Sequence, residues 1–175
     1  MTTEKKNKLI LGSAGKNNAN AITLDIDPEH NPDVVHDLNI LPYPFDDNQF
    51  QEINCHHVLE HLNDLPPVMG ELHRICQKDG LIYIEVPHHS SWCANTPHHK
   101  LRFNYFGFDD YLQDEYTWLK GRKFHLIKKE LTFHRAHRRF LLHKIFNACP
   151  TAYERFWTYI FPAEHFKIWI RPIKQ

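Results

Sequence analysis

The sequence predicts an α/β fold in which a mostly parallel sheet is closed at one end by antiparallel strands. Three observations predict it. Residues 81–86, Leu-Ile-Tyr-Ile-Glu-Val, form an apolar β-rich run stopped by Pro87. Just before it, Val68, Leu72 and Ile75 fall at helical spacing. Near the C-terminus, residues 124–133 and 166–173 both alternate in the period of strands, which suits an antiparallel edge.

Taken in order, residues 8–11 are a short apolar run ending at Gly12, and residues 21–26 are a second, closed by Asp25, Asp27 and Pro28. Both read as buried strands ended by turn chemistry. Residues 33–38 and 51–55 supply a third and a fourth strand, separated by the turn-rich segment 42–48. A helix is expected from Asn63, with Asp64 as its N-cap, Pro66 and Pro67 in its first turn and Gly80 at its end. Strand, helix, strand in that order makes a parallel βαβ unit. After a loop over residues 88–104, a short helix is expected over 108–118. The strand 124–133, helical segments over 136–148 and 153–161, and the last strand follow. The first connections, of about eight and six residues, fall below the roughly 10–12 that a helical crossover takes, so they are expected to be trimmed to loops.

At 175 residues and 20.9 kDa the chain suits a single domain. With 42% hydrophobic and 24% charged residues, global disorder is excluded. There is no apolar run of about 18 residues, and residues 1–8 are polar, so neither a transmembrane segment nor a signal peptide is expected and a cytoplasmic location is. Cys55, Cys76, Cys93 and Cys149 are widely spaced and read as free thiols. The formal net charge is zero but unevenly spread. Residues 1–80 hold 6 basic and 13 acidic side chains, a balance of −7, and residues 81–175 hold 15 and 8, a balance of +7. An anionic partner would therefore dock on the second half. The fifteen histidines make the charge rise as pH falls through about 6.5.

The chemistry-bearing residues cluster at predicted strand ends. Leu11-Gly12-Ser13-Ala14-Gly15 is a glycine turn at the end of the first strand, where ligands of open α/β sheets bind. Ala14 breaks the dinucleotide fingerprint, which disfavours a nicotinamide oxidoreductase. Asp25 ends the second strand, where a carboxylate can accept from both hydroxyls of a ribose. Asp37, ending the third, can accept from an exocyclic amine.

The order of segments is Leu9-Ile10-Leu11-Gly12-Ser13-Ala14-Gly15, then Leu24-Asp25-Ile26-Asp27, then His36-Asp37-Leu38, then Leu41-Pro42-Tyr43-Pro44-Phe45-Asp46-Asp47-Asn48-Gln49-Phe50. Val58-Leu59-Glu60-His61-Leu62, Leu72-His73-Arg74-Ile75 and Glu85-Val86-Pro87 complete it. This order resembles the class I S-adenosylmethionine-dependent methyltransferases, specifically the small type 11 group, over about residues 8–105. The resemblance implies a Rossmann-like three-layer sandwich whose seven-stranded sheet has an antiparallel last strand. It further implies S-adenosylmethionine as cofactor, with Gly12 and Ser13 against its methionine portion, Asp25 on the ribose, Asp37 and Leu38 at the adenine, and His56 or His57 beside the sulfonium. Ala14 stands where the motif usually has glycine, Gln51 where it usually has an acid, and Lys78-Asp79 where it usually has proline and glycine.

Methyl transfer asks the protein mainly to position the partners and to accept a proton. Base candidates are His88, His89, His98 and His99, with His61 behind them. His98 and His99 are favoured, because Pro97-His98-His99-Lys100-Leu101-Arg102-Phe103 resembles a cluster that often follows the fifth strand in this group. No metal is expected, since adjacent histidines point apart in extended chain and no Cys-x-x-Cys spacing occurs. Residues 120–144 carry nine basic side chains and one acid, but read first as a solvated face, and the Asn-Pro-Pro-Tyr motif of base-methylating enzymes is missing. The expected acceptor is a small or polar molecule such as a sugar or lipid-linked sugar, with nucleic acid disfavoured. The alternative is a degenerate fold of the same family serving as a binding or scaffold protein.

Overall fold

The computed structural model describes residues 6–15, 19–113 and 123–174, with the side chains of 138 and 139 also outside the description. Seven strands form one sheet: β1 (Lys8–Leu11), β2 (Ile22–Asp25), β3 (Val34–Val35), β4 (Phe50–His56), β5 (Cys76–Pro87), β6 (Phe124–Phe133) and β7 (Ala163–Pro172). Their spatial order is β3–β2–β1–β4–β5–β7–β6. The first five run parallel, and β7 pairs antiparallel with both β5 and β6. This is the Rossmann-like arrangement expected, with the edge hairpin where the alternation placed it. Strands β1 to β4 come from the acidic half of the sequence, and β6 and β7 from the basic half.

Burial explains why these segments are strands. Leu9, Leu11, Leu24, Ile53 and Cys55 of the parallel part are fully inaccessible, as are Ile82, Ile84 and Val86 of β5. On β7 the alternate residues Phe166, Ile168 and Ile170 are fully buried. A short parallel strand buried in this way reads as an apolar run, and an edge strand with one wet face as an alternation.

Helix α1 (Leu65–Ile75) begins at Asp64 as expected, and Val68, Met69, Leu72 and Ile75 face the core. Asp64 is in extended conformation at the N-cap but its side chain makes no capping bond. The helix stops at Ile75 rather than Gly80. Cys76 already pairs with Phe50, and Gly80 lies inside β5, where an added Cβ would stand 2.6 Å from Cys76 Sγ and 3.0 Å from the Gln51 carbonyl. That glycine serves a close approach of chains, not a helix stop.

Other expectations shift in the same way. The connection from β2 to β3 carries one 3-10 turn (Pro28–His30), in agreement with trimmed crossovers. The helix expected over 108–118 is a single 3-10 turn at Asp109–Tyr111 within the described residues, and residues 114–118 lie outside them. The segment 136–148 splits into α2 (Arg135–Arg139) and α3 (Leu142–Ala148), because Leu141 adopts a left-handed conformation (φ 57°) that no helix continues. Residues 153–157 form a single π turn. All four cysteines are free, and no helix among the described residues is long and apolar enough to cross a membrane.

Candidate cofactor cleft

A cleft of about 460 Å³ opens at the C-terminal ends of β1, β2 and β4. Chain order reverses between β1 and β4, so this is the switch point at which open α/β sheets take ligands. The volume lies within the roughly 300–1,000 Å³ of small-molecule sites.

The cleft floor is set by Gly12. Its φ of 65° is left-handed, its N–H donates to the Leu24 carbonyl at 2.9 Å, and a Cβ there would meet Val58 Cγ2 at 2.8 Å. Val58 thus packs against bare backbone, which only glycine permits. Ala14 is also left-handed (φ 45°), a conformation disfavoured for alanine. Its N–H donates to Asp25 Oδ2 at 2.8 Å, and this bond helps hold it there.

Asp25 is the hub of this corner. It accepts from the backbone N–H of Ala14 and, at 3.0 Å, of Asp27, while Ser13 Oγ lies 3.5 Å away beneath it. Burial raises its pKa, but the two backbone donors and His30 outweigh that and hold the carboxyl below its ordinary range. His30 Nδ1 stands 3.4 Å from Asp25 Oδ2.

The next wall is Asp37 and Leu38. Asp37 Oδ1 accepts from the N–H and side-chain amide of Asn39, both at 2.9 Å. Buried Tyr43 donates its hydroxyl to the Leu38 carbonyl at 3.1 Å. Tyr43 is braced in turn: its N–H donates to Glu71 Oε2 at 2.7 Å, and Arg74 donates to the carbonyls of Tyr43 and Phe45 and to Asp47 and Glu71. The Leu41–Phe50 motif therefore acts as a strut between α1 and the cleft wall.

At the end of β4, His57 is left-handed (φ 54°) and faces the cleft, its Nδ1 3.1 Å from Glu60 Oε1. Of the residues expected from sequence, Gly12, Asp25, Asp37, Leu38 and His57 line the cleft, and Ser13 lies under it. His56 lies outside the lining, 3.4 Å from Glu85. His98 is exposed and also outside it. His99 packs edge-on against His61 of the lining, ring centroids 4.7 Å apart, and burial holds its pKa below the ordinary imidazole value. His88 is fully buried and binds Glu154 together with His89. The lining also includes His30, His36, Asn39 and Lys100, which the sequence reading did not single out. His36 and Lys100 adjoin Asp37 and His99 in the quoted motifs, whereas His30 carries no local signal.

Residues 10–84 match a family model described as the methyltransferase domain. This stretch, less than half of the chain, is similar to the type 11 methyltransferase domain. Solved structures agree with this domain in fold. The chain is similar to the S-adenosylmethionine-dependent methyltransferase from Archaeoglobus fulgidus (15% identity, 94% of this chain and 85% of that one covered, TM-score 0.64). It is also similar to a chain in the complex between the Haloferax volcanii Trm112 methyltransferase activator and a methyltransferase (15%, 100% and 86%, 0.61). A third neighbour is the cyclase SpnF (11%, 95% and 75%, 0.57). No curated protein matches the chain. At these identities the structural likeness concerns fold alone, and one fold can host more than one chemistry.

Proposed function

We propose that the chain binds S-adenosylmethionine in the cleft and transfers its methyl group to a small or polar acceptor such as a sugar or lipid-linked sugar. The observation that carries this reading is the pairing of Gly12 with Asp25 across the switch point. Bare backbone at Gly12 lets the methionine portion approach, and a carboxylate stands where the ribose would lie. Asp37 and Leu38 then face the adenine, with Asp37 Oδ2 as acceptor for its amine. His57, at the end of β4, lies toward the sulfonium. His98 and His99 are proposed for the acceptor side, His99 acting through its contact with His61. The free thiols fit the cytoplasm, which is the proposed location.

A scaffold reading has one observation in its favour: Asp25 already accepts from two backbone N–H groups, so its carboxylate has a structural task without any ligand. Calorimetric titration of metal-stripped protein with S-adenosylhomocysteine separates the two. Micromolar binding, weakened at least 30-fold in Asp25→Ala, is expected. No binding of the folded wild-type protein at millimolar ligand would sink the methyltransferase proposal in favour of the scaffold.

A further inference from the structure

Among the described residues, three groups of histidine and carboxylate side chains bring their donor atoms within 4.8 Å of one another: His56, His57 and Glu85; His88, His89 and Glu154; and Glu60, His61 and His99. Two of them are internally satisfied. Glu85 receives the Tyr83 hydroxyl and lies 3.3 Å from Lys167 Nζ, so a cation already balances it. Glu154 accepts from His88, His89 and the Tyr105 N–H, which occupies both of its oxygens.

The third group is different. Glu60 is 1% exposed, yet its Oε2 has no hydrogen-bond partner, and the buried Nδ1 of His99 has none either. Lys100, the nearest basic side chain in sequence, extends to Asn63 Oδ1 at 2.7 Å, and Arg102 donates to the Ala94 carbonyl. An ionised carboxylate left half-satisfied in the interior is costly, and so is an orphaned ring nitrogen beside it. A single cation placed between them removes both costs.

The geometry points to a divalent transition-metal site formed by Glu60, His61 and His99 at the rim of the cleft. Three further features resemble the outer shell of such sites. His61 Nδ1 lies 3.3 Å from the His98 carbonyl, and donation there leaves Nε2 as a lone-pair donor. His57 Nδ1 holds Glu60 Oε1, which fixes the carboxylate and leaves Oε2 for the ion. The N–H groups of Lys100 and Leu101 both donate to the Glu60 carbonyl, at 2.7 and 3.1 Å, so the main chain keeps His99 beside Glu60. Donors sharing an ion at about 2.1 Å lie about 3.4 Å apart in tetrahedral geometry, and the exposed His61 ring can swing to close the remaining gap. Two imidazoles and a carboxylate suit zinc, cobalt(II), iron(II) or manganese better than magnesium or calcium, and they leave coordination positions open. Because His61 lines the cleft, those positions face the bound molecules. If the cofactor reading holds, on which this step alone rests, they would take an oxygen of the acceptor.

The test is a titration of metal-stripped full-length protein with cobalt(II), followed by its visible absorption, with S-adenosylhomocysteine titrated in parallel. One equivalent is expected at micromolar affinity, weakened on the order of 100-fold in Glu60→Gln and in His99→Ala, and unchanged within twofold in His143→Ala on α3. His99 is only partly buried, so His99→Ala stays informative should Glu60→Gln fail to fold. Absence of a stoichiometric cobalt complex in the folded wild-type protein, or wild-type affinity in His99→Ala, overturns the site. Cobalt binding without S-adenosylhomocysteine binding keeps the site and refutes the cofactor reading instead.

Discussion

The two ends of the sheet are built by different means. At the β5–β7–β6 end, strands of 12, 10 and 10 residues bury Ile82, Ile84, Phe166, Ile168 and Ile170 completely. At the β3–β2–β1 end, strands of 2, 4 and 4 residues still bury Leu9, Leu11 and Leu24, but carboxylates add much of the fixing of the loops around them. Asp33 accepts from both the N–H and the hydroxyl of Thr23, while Asp25 gathers Ala14, Asp27 and His30. Apolar packing is insensitive to direction, but a polar corner works only when each donor is in place. The cofactor cleft lies on the second kind of architecture, which fixes the positions of a few atoms at the expense of bulk stability.

The largest effect should come from the packed end. Phe166→Ala removes a fully buried ring that lies among Tyr105 and Phe108 and should cost about 3–5 kcal/mol in urea unfolding. The folded fraction should still bind S-adenosylhomocysteine with unchanged affinity. A change in affinity greater than threefold would show that the two ends are not separable. Next, Gly12→Ala forces a Cβ against Val58 in a left-handed backbone, for roughly 2–4 kcal/mol. Here, unlike Phe166→Ala, the affinity should fall at least 30-fold together with the stability.

Acid should divide the ends more gently. Backbone and hydroxyl donors hold Asp33 below its ordinary pKa of 3.8, and Asp25 is held below it despite burial. A depressed folded pKa contributes stability that is present above the unfolded value and lost as pH falls through the folded one. Amides of β2 and β3 should therefore lose exchange protection as pH drops below about 4, ahead of those of β7. At the packed end Glu154, held down to about 2 by the donors His88, His89 and Tyr105 against the effect of burial, loses its own contribution over the same range, so the contrast rests on the apolar packing of β7, which acid leaves in place. Simultaneous loss at both ends would contradict the contrast. The smallest effect expected is a gain: Ala14→Gly relieves a left-handed alanine and should stabilise the protein by roughly 0.5–1.5 kcal/mol, read as a higher melting temperature.

Legibility in the sequence follows the same division. The packed end announces itself by period, so β5, β6 and β7 are found within a few residues, and so is α1 at its start. Its end was misplaced because Gly80 is ambiguous: a glycine after an apolar stripe signals a helix stop, and only the approach of Cys76 and Gln51 shows another use. In the polar corner, strand-end residues such as Gly12, Asp25 and Asp37 are legible because turn chemistry marks them. His30 reaches the cleft through a 3-10 turn, and His61 meets His99 through contacts 38 residues apart in the chain. No local pattern encodes such a meeting.

The strands of the acidic half of the sequence lie at one end of the sheet and β6 and β7 of the basic half at the other, an order that favours an electric dipole in spite of the zero net charge. With a balance of −7 over residues 1–80 and +7 over residues 81–175, neighbouring molecules in dilute buffer attract when the acidic flank of one meets the basic flank of the next. Added salt shortens the reach of that attraction to about 8 Å at physiological ionic strength. The protein should accordingly salt in, dissolving more readily in saline than in water, and its crystals should grow by dialysis toward lower ionic strength.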